Sequence, residues 1–265
     1  MSLSYLQQES TPNGHLRVWD ANELSNPIHD VASHPLAISS LSTSGDGKKA
    51  LAASLDGTVV LLDVEEGSQL AKVETGREKA AVGEHACWAW SGRSSKVAIR
   101  SIADSDEAHF DGDSQASSRG VLGGEGRVVD AGKGRFGMDL KFSPDGRSLA
   151  LASEQGHVVV IDTETQAVVA TYTSHNKAVR TISWSPDSQV AASPDGKLLG
   201  SGGADSMVKL WDVGQRSCVS TSTGTAEIWG LDWQPAGADT FAAGKQFAIA
   251  GDDKAVTLYR AAGSV

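Results

Sequence analysis

The feature that most constrains the fold is the stretch 197–213, which reads Lys-Leu-Leu-Gly-Ser-Gly-Gly-Ala-Asp-Ser-Met-Val-Lys-Leu-Trp-Asp-Val. In its second half, apolar Val208 and Leu210 alternate with polar neighbours, which is the two-residue period of a β-strand. Before this strand, the glycine pair 202–203 permits a sharp reversal of the backbone, and Asp205 can hydrogen-bond within the turn. We therefore interpret the stretch as two short strands joined by a tight turn.

The same strand ending recurs along the chain. His15–Asp20 also ends in Trp-Asp, and Leu62-Asp63 takes the place of this pair 43 residues further on. Short strands that end in Trp-Asp at this spacing resemble the WD40 repeat, whose units form the four-stranded blades of β-propellers. The resemblance predicts an all-β WD40 β-propeller, with either six blades or an incomplete seven-bladed ring.

Two regions depart from the repeat within what we predict to be a single domain, 1–265. The first blade, 1–33, has only 14 residues before the strand that begins at His15, whereas the two missing strands need roughly 20–25. The segment 103–118 is acidic and irregular. Its carboxylates lack the alternate spacing of a calcium loop, so a solvated loop is the favoured interpretation.

Two further strands are predicted outside the well-formed repeats. The third unit is expected to have its inner strand at 86–91, and residues 3–7 are a strand candidate that fits no repeat. A propeller protects its sheet edges by joining the two ends of the chain in one blade. Residues 3–7 are therefore predicted to lie beside 255–259.

The composition argues against several classes of function. The formal charge is −10 and no Lys or Arg cluster is present, which disfavours direct nucleic-acid binding. Cys87 and Cys218 have no partners at metal-site spacing and the seven histidines are scattered, so no metal, cofactor or catalytic site is predicted. No apolar run approaches ~20 residues, so no membrane segment is expected.

Four polar residues of the best-formed repeat can make one buried hydrogen-bonded chain. The repeat offers a His before its first strand, a Ser on the second, an Asp at the tight turn and a Trp on the third. They are His175, Ser201, Asp205 and Trp211. Because each buried polar group would then have a partner, we predict a structural role for all four. The second unit keeps His34 and Asp56, but Ala52 and Leu62 replace the Ser and the Trp.

A more specific resemblance is carried by six segments. They are Gly134–Met138, Phe142–Gly146, Val208–Gly214, Arg216–Val219, Ile228–Leu231 and Gly251–Asp253. Together they are similar to the WD-repeat subunit of the superkiller complex, the assembly that feeds RNA to the cytoplasmic exosome. The same family includes a fungal meiotic recombination protein and, in animals, a subunit of an RNA polymerase II elongation complex.

The resemblance implies a partner-binding face at the top of the propeller. This face would bind a short Arg-containing peptide of the helicase-complex scaffold subunit or of the meiotic DNA-cleaving protein. The positions expected there are Ser39, Leu55, Met138, Arg180, Glu227, Trp229 and Asp252. Trp229 can stack on an arginine of the partner or, alternatively, pack on a neighbouring blade. Glu227 and Asp252 can pair with that arginine or remain solvated, and Arg180 can instead tie two loops together.

The sequence therefore predicts a non-catalytic scaffold for protein partners. By resemblance, it acts in the superkiller complex during 3′–5′ mRNA decay and in the initiation of meiotic recombination, in the cytoplasm and in the nucleus. The alternative is a WD40 adaptor of a ubiquitin ligase or of a chromatin or transcription elongation complex. The similarity over 211–231 favours the first interpretation.

Overall fold

The computed structural model describes residues 5–7, 14–20, 23–44, 47–74, 79–82, 87–91, 96–101, 128–130, 136–186, 198–234 and 246–260. Within these ranges the chain forms antiparallel strands and turns but no helix, and hence no helix long and apolar enough to cross a membrane. Backbone contacts divide the chain into two compact units, Met1–Val129 and Asp130–Val265, which are described one at a time. The prediction of an all-β fold is confirmed.

In the part of the first unit that the structure describes there are three sheets, each with strands in consecutive order. The first sheet comprises β1 (Tyr5–Gln7), β2 (His15–Trp19) and β3 (His29–Ala32). The second comprises β4 (Ile38–Thr43), β5 (Lys49–Ser54), β6 (Thr58–Asp63) and β7 (Gln69–Glu74). The third comprises β8 (Lys79–Val82), β9 (Cys87–Ser91), β10 (Lys96–Ser101) and β11 (Val128–Asp130), which lies at the boundary between the units.

The second unit also contains three sheets in consecutive order. The fourth sheet comprises β12 (Gly137–Phe142), β13 (Ser148–Ser153), β14 (Val158–Asp162) and β15 (Val168–Tyr172). The fifth comprises β16 (Val179–Trp184), β17 (Leu198–Gly203), β18 (Met207–Asp212) and β19 (Ser217–Thr223). The sixth comprises β20 (Ile228–Trp233), β21 (Gln246–Gly251) and β22 (Val256–Arg260). Consecutive antiparallel sheets of this size are the blades expected of a WD40 β-propeller.

Apolar side chains hold neighbouring sheets together within each unit. Trp211 of the fifth sheet stacks on Tyr172 of the fourth, with 4.5 Å between ring centres, in a core shared by both sheets. Leu231 and Phe247 of the sixth sheet contribute to a second core that contains side chains of β18. In the first unit, Leu16 of β2 packs into the core of the second sheet. Burial of this apolar surface is the main force that stacks the sheets.

The glycine pair in β17 lies where a Cβ atom would clash with neighbouring side chains. Gly202 and Gly203 lie within the strand, and the backbone reverses after them, where Ser206 adopts a φ of 62°. A Cβ atom at Gly202 would come within 2.6 Å of the Ile228 side chain, and one at Gly203 within 2.7 Å of the Asp205 carboxylate. The turn itself lies at 204–206, as predicted, directly after the glycine pair. The glycines leave room for β20 and for a polar contact.

The order of strands in the third sheet also differs from the prediction. The segment 86–91 contains β9, which is the second strand of its sheet and not the inner one. The strand before it, β8, packs beside β4 of the second sheet. Its sequence Lys-Ala-Ala-Val is short and does not alternate, so the period of a half-buried strand gave no signal there.

The N-terminal strand does not pair with residues 255–259. Instead, β1 pairs with β2, with Tyr5 opposite Trp19, and β22 pairs with β21. A nearby partner is favoured because closing the short connection from β1 to β2 costs less entropy than closing the whole chain. The first sheet therefore has three strands in the described ranges. The acidic segment 103–118 lies outside the described residues, and the single domain 1–265 stays a prediction.

Candidate functional site

Four polar side chains of the fifth sheet form one hydrogen-bonded chain. The Trp211 indole N–H donates to the Ser201 hydroxyl at 2.8 Å, and this oxygen also lies 2.8 Å from Nε2 of His175. Nδ1 of His175 lies 3.0 Å from each carboxylate oxygen of Asp205. Because a carboxylate only accepts, Nδ1 carries the proton and Nε2 accepts from Ser201. The structure thus brings together the four residues for which the sequence predicts a structural role.

Burial decides the charge of this chain of groups. The His175 side chain is completely buried, and this desolvation lowers its pKa below 6.5 although Asp205 acts in the opposite direction. Burial alone would raise the pKa of Asp205, but hydrogen bonds from the Asn176 N–H and from His175 outweigh it and hold the pKa below 3.8. The pair is therefore a neutral imidazole and a carboxylate at neutral pH. It ties the segment before β16 to the turn between β17 and β18.

The second sheet shows what remains when the Ser and the Trp are replaced. Nδ1 of His34 lies 2.8 Å from the Thr58 hydroxyl, which donates to Asp56 at 2.7 Å. Nε2 of His34 is buried with no side chain to hydrogen-bond, in the sheet where Ala52 replaces the Ser. Sequence reasoning missed Thr58. The available signal is its position directly after the Asp-Gly turn, within reach of the Asp carboxylate.

Four of the predicted partner-binding residues meet on one surface of the second unit. The Arg180 guanidinium lies 3.7 Å from the centre of the Trp229 ring and donates to Glu227 at 3.1 Å. The Trp229 indole N–H donates to Asp252 at 2.6 Å. Trp229 is nevertheless 52% exposed. We call Arg180, Glu227, Trp229 and Asp252 the Trp229 cluster.

Arg180 and Trp229 each lie at a β-bulge near the start of the first strand of their sheet. The register of β16 against β17 shifts between Val179 and Thr181, which leaves Arg180 as the extra residue. The register of β20 against β21 shifts in the same way on either side of Trp229. A bulged residue is released from the ladder and its side chain is re-aimed. The bulges therefore account for two neighbouring sheets presenting an arginine and a tryptophan to each other.

Ser39 and Met138 occupy the equivalent bulges of the second and fourth sheets. The Ser39 hydroxyl donates to the carbonyl of Ala53 at 3.2 Å, and Met138 is partly buried against the apolar core that contains Trp211. Leu55 is 54% exposed at the turn between β5 and β6. Met138 belongs to the second unit with the Trp229 cluster, whereas Ser39 and Leu55 belong to the first.

The Trp229 cluster combines an aromatic surface with one positive and two negative side chains. Arg180 is paired with Glu227, so the additional carboxylate of Asp252 leaves the cluster with a net negative charge. The turn that holds Asp252 is braced by Asp253, which accepts from the Thr225 hydroxyl and, at 3.1 Å, from the Ala255 N–H. Sequence reasoning missed this brace. The consecutive aspartates of the Asp-Asp-Lys turn were its signal.

Arg180 over the ring and Asp252 at the indole N–H thus hold Trp229 in place. The Arg180–Glu227 pair joins β16 to the segment before β20, as the loop-tying interpretation of Arg180 predicts. About half of the Trp229 surface remains open to a ligand. An indole that is fixed in place loses little conformational entropy on binding, which is one reason Trp is enriched at interaction hot spots.

Comparison with known families agrees with this architecture. A model of the WD40 repeat (WD domain, G-beta repeat) matches residues 25–63 and 166–212, which include third strands of the second and fifth sheets. The chain contains WD40 repeats. A model of the anaphase-promoting complex subunit 4 WD40 domain matches residues 127–187, which include the fourth sheet.

The chain is similar over part of its length to three differently named proteins. WD repeat-containing protein 1 of Gallus gallus is 39% identical over 90 residues, which is 33% of this chain and 14% of that protein. Meiotic recombination protein rec14 of Schizosaccharomyces pombe is 28% identical over 173 residues, 49% of this chain and 52% of that protein. COMPASS component SWD1 of Saccharomyces cerevisiae is 31% identical over 99 residues, 36% of this chain and 21% of that protein.

The chain therefore spans from about a seventh to about half of the length of these relatives. WD40-repeat proteins generally act as scaffolds that bind protein partners and do no chemistry of their own. No group of three or more His, Cys, Asp or Glu side chains within the described ranges is arranged to hold a metal ion.

Proposed function

We propose that the chain is a non-catalytic WD40 scaffold that binds a short Arg-containing peptide of a protein partner at the Trp229 cluster. The observation that carries the proposal is the half-exposed indole of Trp229, held between Arg180 and Asp252. Because Arg180 covers one face of the ring, a partner arginine would stack on the open face. Because Glu227 is already paired with Arg180, Asp252 is the carboxylate that would pair with the guanidinium of the partner arginine.

The biological setting that we propose is an assembly of the superkiller or meiotic recombination type. The 28% identity to the meiotic recombination protein rec14 over about half of each chain supports it. The partner would be the helicase-complex scaffold subunit in mRNA decay or the meiotic DNA-cleaving protein in recombination, in the cytoplasm or the nucleus respectively. Neither nucleic acid nor a membrane would be bound directly.

A second candidate is an adaptor in a chromatin complex. It is favoured by the 31% identity to the COMPASS component SWD1 over 99 residues. That similarity covers 36% of this chain, whereas the similarity to rec14 covers 49%. A ubiquitin-ligase or transcription elongation adaptor would use the same blades and the same exposed tryptophan, so the identity of the peptide separates these alternatives.

Isothermal titration with a synthetic peptide that carries the Arg-containing motif of the scaffold subunit tests the proposal. Trp229→Ala should weaken binding by about 2 kcal/mol, or roughly 30-fold. Replacing the peptide arginine by alanine should have a similar effect. Val219→Ala, an exposed position of β19 outside the cluster, should leave the affinity unchanged. Equal affinities of the wild type and Trp229→Ala would remove Trp229 from the binding site.

A further inference from the structure

The sixth sheet keeps the aspartate turn of the fifth sheet but not its histidine. In both sheets the turn after the second strand holds an aspartate that accepts the backbone N–H two residues ahead at 3.1 Å, and these aspartates are Asp205 and Asp253. Four residues before its first strand the fifth sheet has His175, whereas the sixth sheet has Gly224 at the same distance from β20. The carboxylate is therefore retained without the imidazole that pairs with it in the fifth sheet.

A backbone hydrogen bond supports the equivalence of Gly224 with a histidine position. The Gly224 N–H donates at 2.6 Å to the carbonyl of Ser206, the residue directly before β18. In the second sheet the His34 N–H donates in the same way to the carbonyl of Gly14, the residue directly before β2. The segment before the first strand is thus held alike in both sheets, but Gly224 contributes no side chain to the space beneath it.

The other two positions of the hydrogen-bonded chain are apolar in the sixth sheet. In the pairing of the second strand with the third, Ile249 takes the place of Ser201, and Tyr259 takes the place of Trp211. Ile249 is buried, and Tyr259 stacks on Phe247 with 5.3 Å between the ring centres. The sheet therefore presents a carboxylate at one end of this space and aliphatic and aromatic surface at the other.

A cavity of about 140 Å³ lies between these groups. The residues that line it include Gly224, Thr225, Ile228, Ile249, Asp253 and Tyr259. Ile228 and Ile249 are buried. Thr225 and Asp253 are exposed, so the cavity opens beside the carboxylate. Since an apolar cavity of about 150 Å³ can hold a benzene ring, this one has room for an apolar group of about five or six heavy atoms.

Asp253 places a negative charge at the mouth of the cavity. Hydrogen bonds from the Thr225 hydroxyl and the Ala255 N–H hold the pKa of its carboxyl below 3.8, so it is ionised at neutral pH. A carboxylate offers about four acceptor positions, which leaves it able to bind a further donor. Because the inner end of the cavity is apolar, a ligand with one charged donor matches it better than an imidazole, whose second nitrogen would face Ile249.

We propose that this cavity binds a primary ammonium group attached to a small branched or cyclic apolar body. The ammonium pairs with Asp253 at the mouth, and the apolar body fills the space that the imidazole occupies in the fifth sheet. A free alkylamine has this chemistry, and so has the N-terminal residue of a polypeptide that begins with leucine. None of the four side chains of the Trp229 cluster lines the cavity, so this site goes beyond the proposed peptide-binding surface.

Titration of the intact chain with isopentylamine, followed by protein NMR, tests the proposal. So small a ligand should bind with a dissociation constant on the order of 1 mM. Isopentanol, which has the same apolar body without the charge, should bind at least roughly tenfold more weakly. Equal binding of the amine and the alcohol, or no shift of the signals of Gly224 and Ile249 with either, would overturn the proposal.

Two substitutions at Gly224 test the location of the site. Gly224→His should abolish amine binding because its imidazole fills the cavity, whereas Gly224→Ala adds one methyl group and should retain binding. Gly224 has a φ outside the left-handed region, and the atom nearest to an added Cβ is the Ser206 carbonyl oxygen at 3.3 Å. Both variants should therefore fold with a melting temperature close to that of the wild type. A folded Gly224→His protein that binds the amine as the wild type does would contradict the location.

Charge variants and a peptide complete the test. Asp253→Asn should weaken amine binding at least roughly tenfold, whereas Asp252→Asn, which removes the neighbouring charge outside the cavity, should leave it nearly unchanged, as should Trp229→Ala. Equal effects of the two aspartate substitutions would refute the pairing with Asp253. A peptide that begins with leucine should bind at least as well as isopentylamine, and lose binding on N-terminal acetylation, if the ligand is a polypeptide; binding of isopentylamine alone assigns the site to free amines. A protein that binds its Arg-containing peptide but no amine would refute this inference and leave the proposed function intact.

Discussion

Removing the hydroxyl of Ser201 should weaken the fifth sheet more than its size suggests. Ser201 is fully buried, accepts the Trp211 N–H and faces Nε2 of His175, each at 2.8 Å. Ser201→Ala leaves both of these buried groups without a partner, and each unsatisfied buried group costs roughly 1–3 kcal/mol. Allowing for partial relaxation, we expect a loss of about 2–4 kcal/mol in the free energy of unfolding. This loss comes from the two unsatisfied groups, because the substitution removes no apolar contact.

Equilibrium denaturation followed by tryptophan fluorescence measures this loss. Ser220→Ala provides a matched control, since Ser220 lies on the outer strand of the same sheet and is partly exposed. Surface substitutions of this kind typically change the stability by less than about 0.5 kcal/mol. Asp205→Ala, which removes the acceptor of the His175 N–H, should cost on the order of 1–3 kcal/mol. If Ser201→Ala were as mild as Ser220→Ala, the four groups would not be acting as a connected chain.

Three further predictions concern the other sheets and the pH. Ala52→Ser should stabilise the protein by about 1 kcal/mol in denaturation experiments, because it gives buried Nε2 of His34 a hydroxyl donor; destabilisation would mean that the site has no room for the oxygen. Burial lowers the pKa of His34 and His175 below 6.5, so the unfolded chain binds their protons more readily and the free energy of unfolding should fall as the pH drops below about 6.5. His175→Gln should reduce this slope, and an unchanged slope would contradict the assignment. Deleting residues 1–9 should expose the amides of β2 to hydrogen exchange and leave those of β22 unaffected, since β1 pairs with β2; the opposite result would contradict the observed pairing.

The hydrogen-bonded chain of the fifth sheet could be predicted because the repeat fixes the positions of its members along the strands. His175, Ser201, Asp205 and Trp211 hold set positions relative to the strands, so one well-formed repeat is enough to place all four side chains. The same register places Arg180 and Trp229 at equivalent positions of adjacent first strands. Their stacking was not predictable from the sequence, because it depends on a bulge in each strand and on how closely two sheets pack.

Strand partners were harder to predict than strands. The N-terminal segment contains a strand, but nothing in its local pattern distinguishes the edge of β2 from the edge of β22. The strand β8 was not predicted, because its three consecutive apolar residues show no two-residue period. The contact that requires Gly202 was not predictable, because a sequence does not show which side chain approaches from the next sheet, here that of Ile228.

The Trp229 cluster is the proposed partner-binding surface of the protein. The most direct test is a quantitative pull-down from the native cell extract, with bound proteins identified by mass spectrometry, using the wild type, Trp229→Ala and Val219→Ala. We expect that Trp229→Ala loses a defined set of partners, that Val219→Ala retains them, and that all three proteins melt at nearly the same temperature. Retention of every partner by a folded Trp229→Ala protein would contradict a binding role of the cluster.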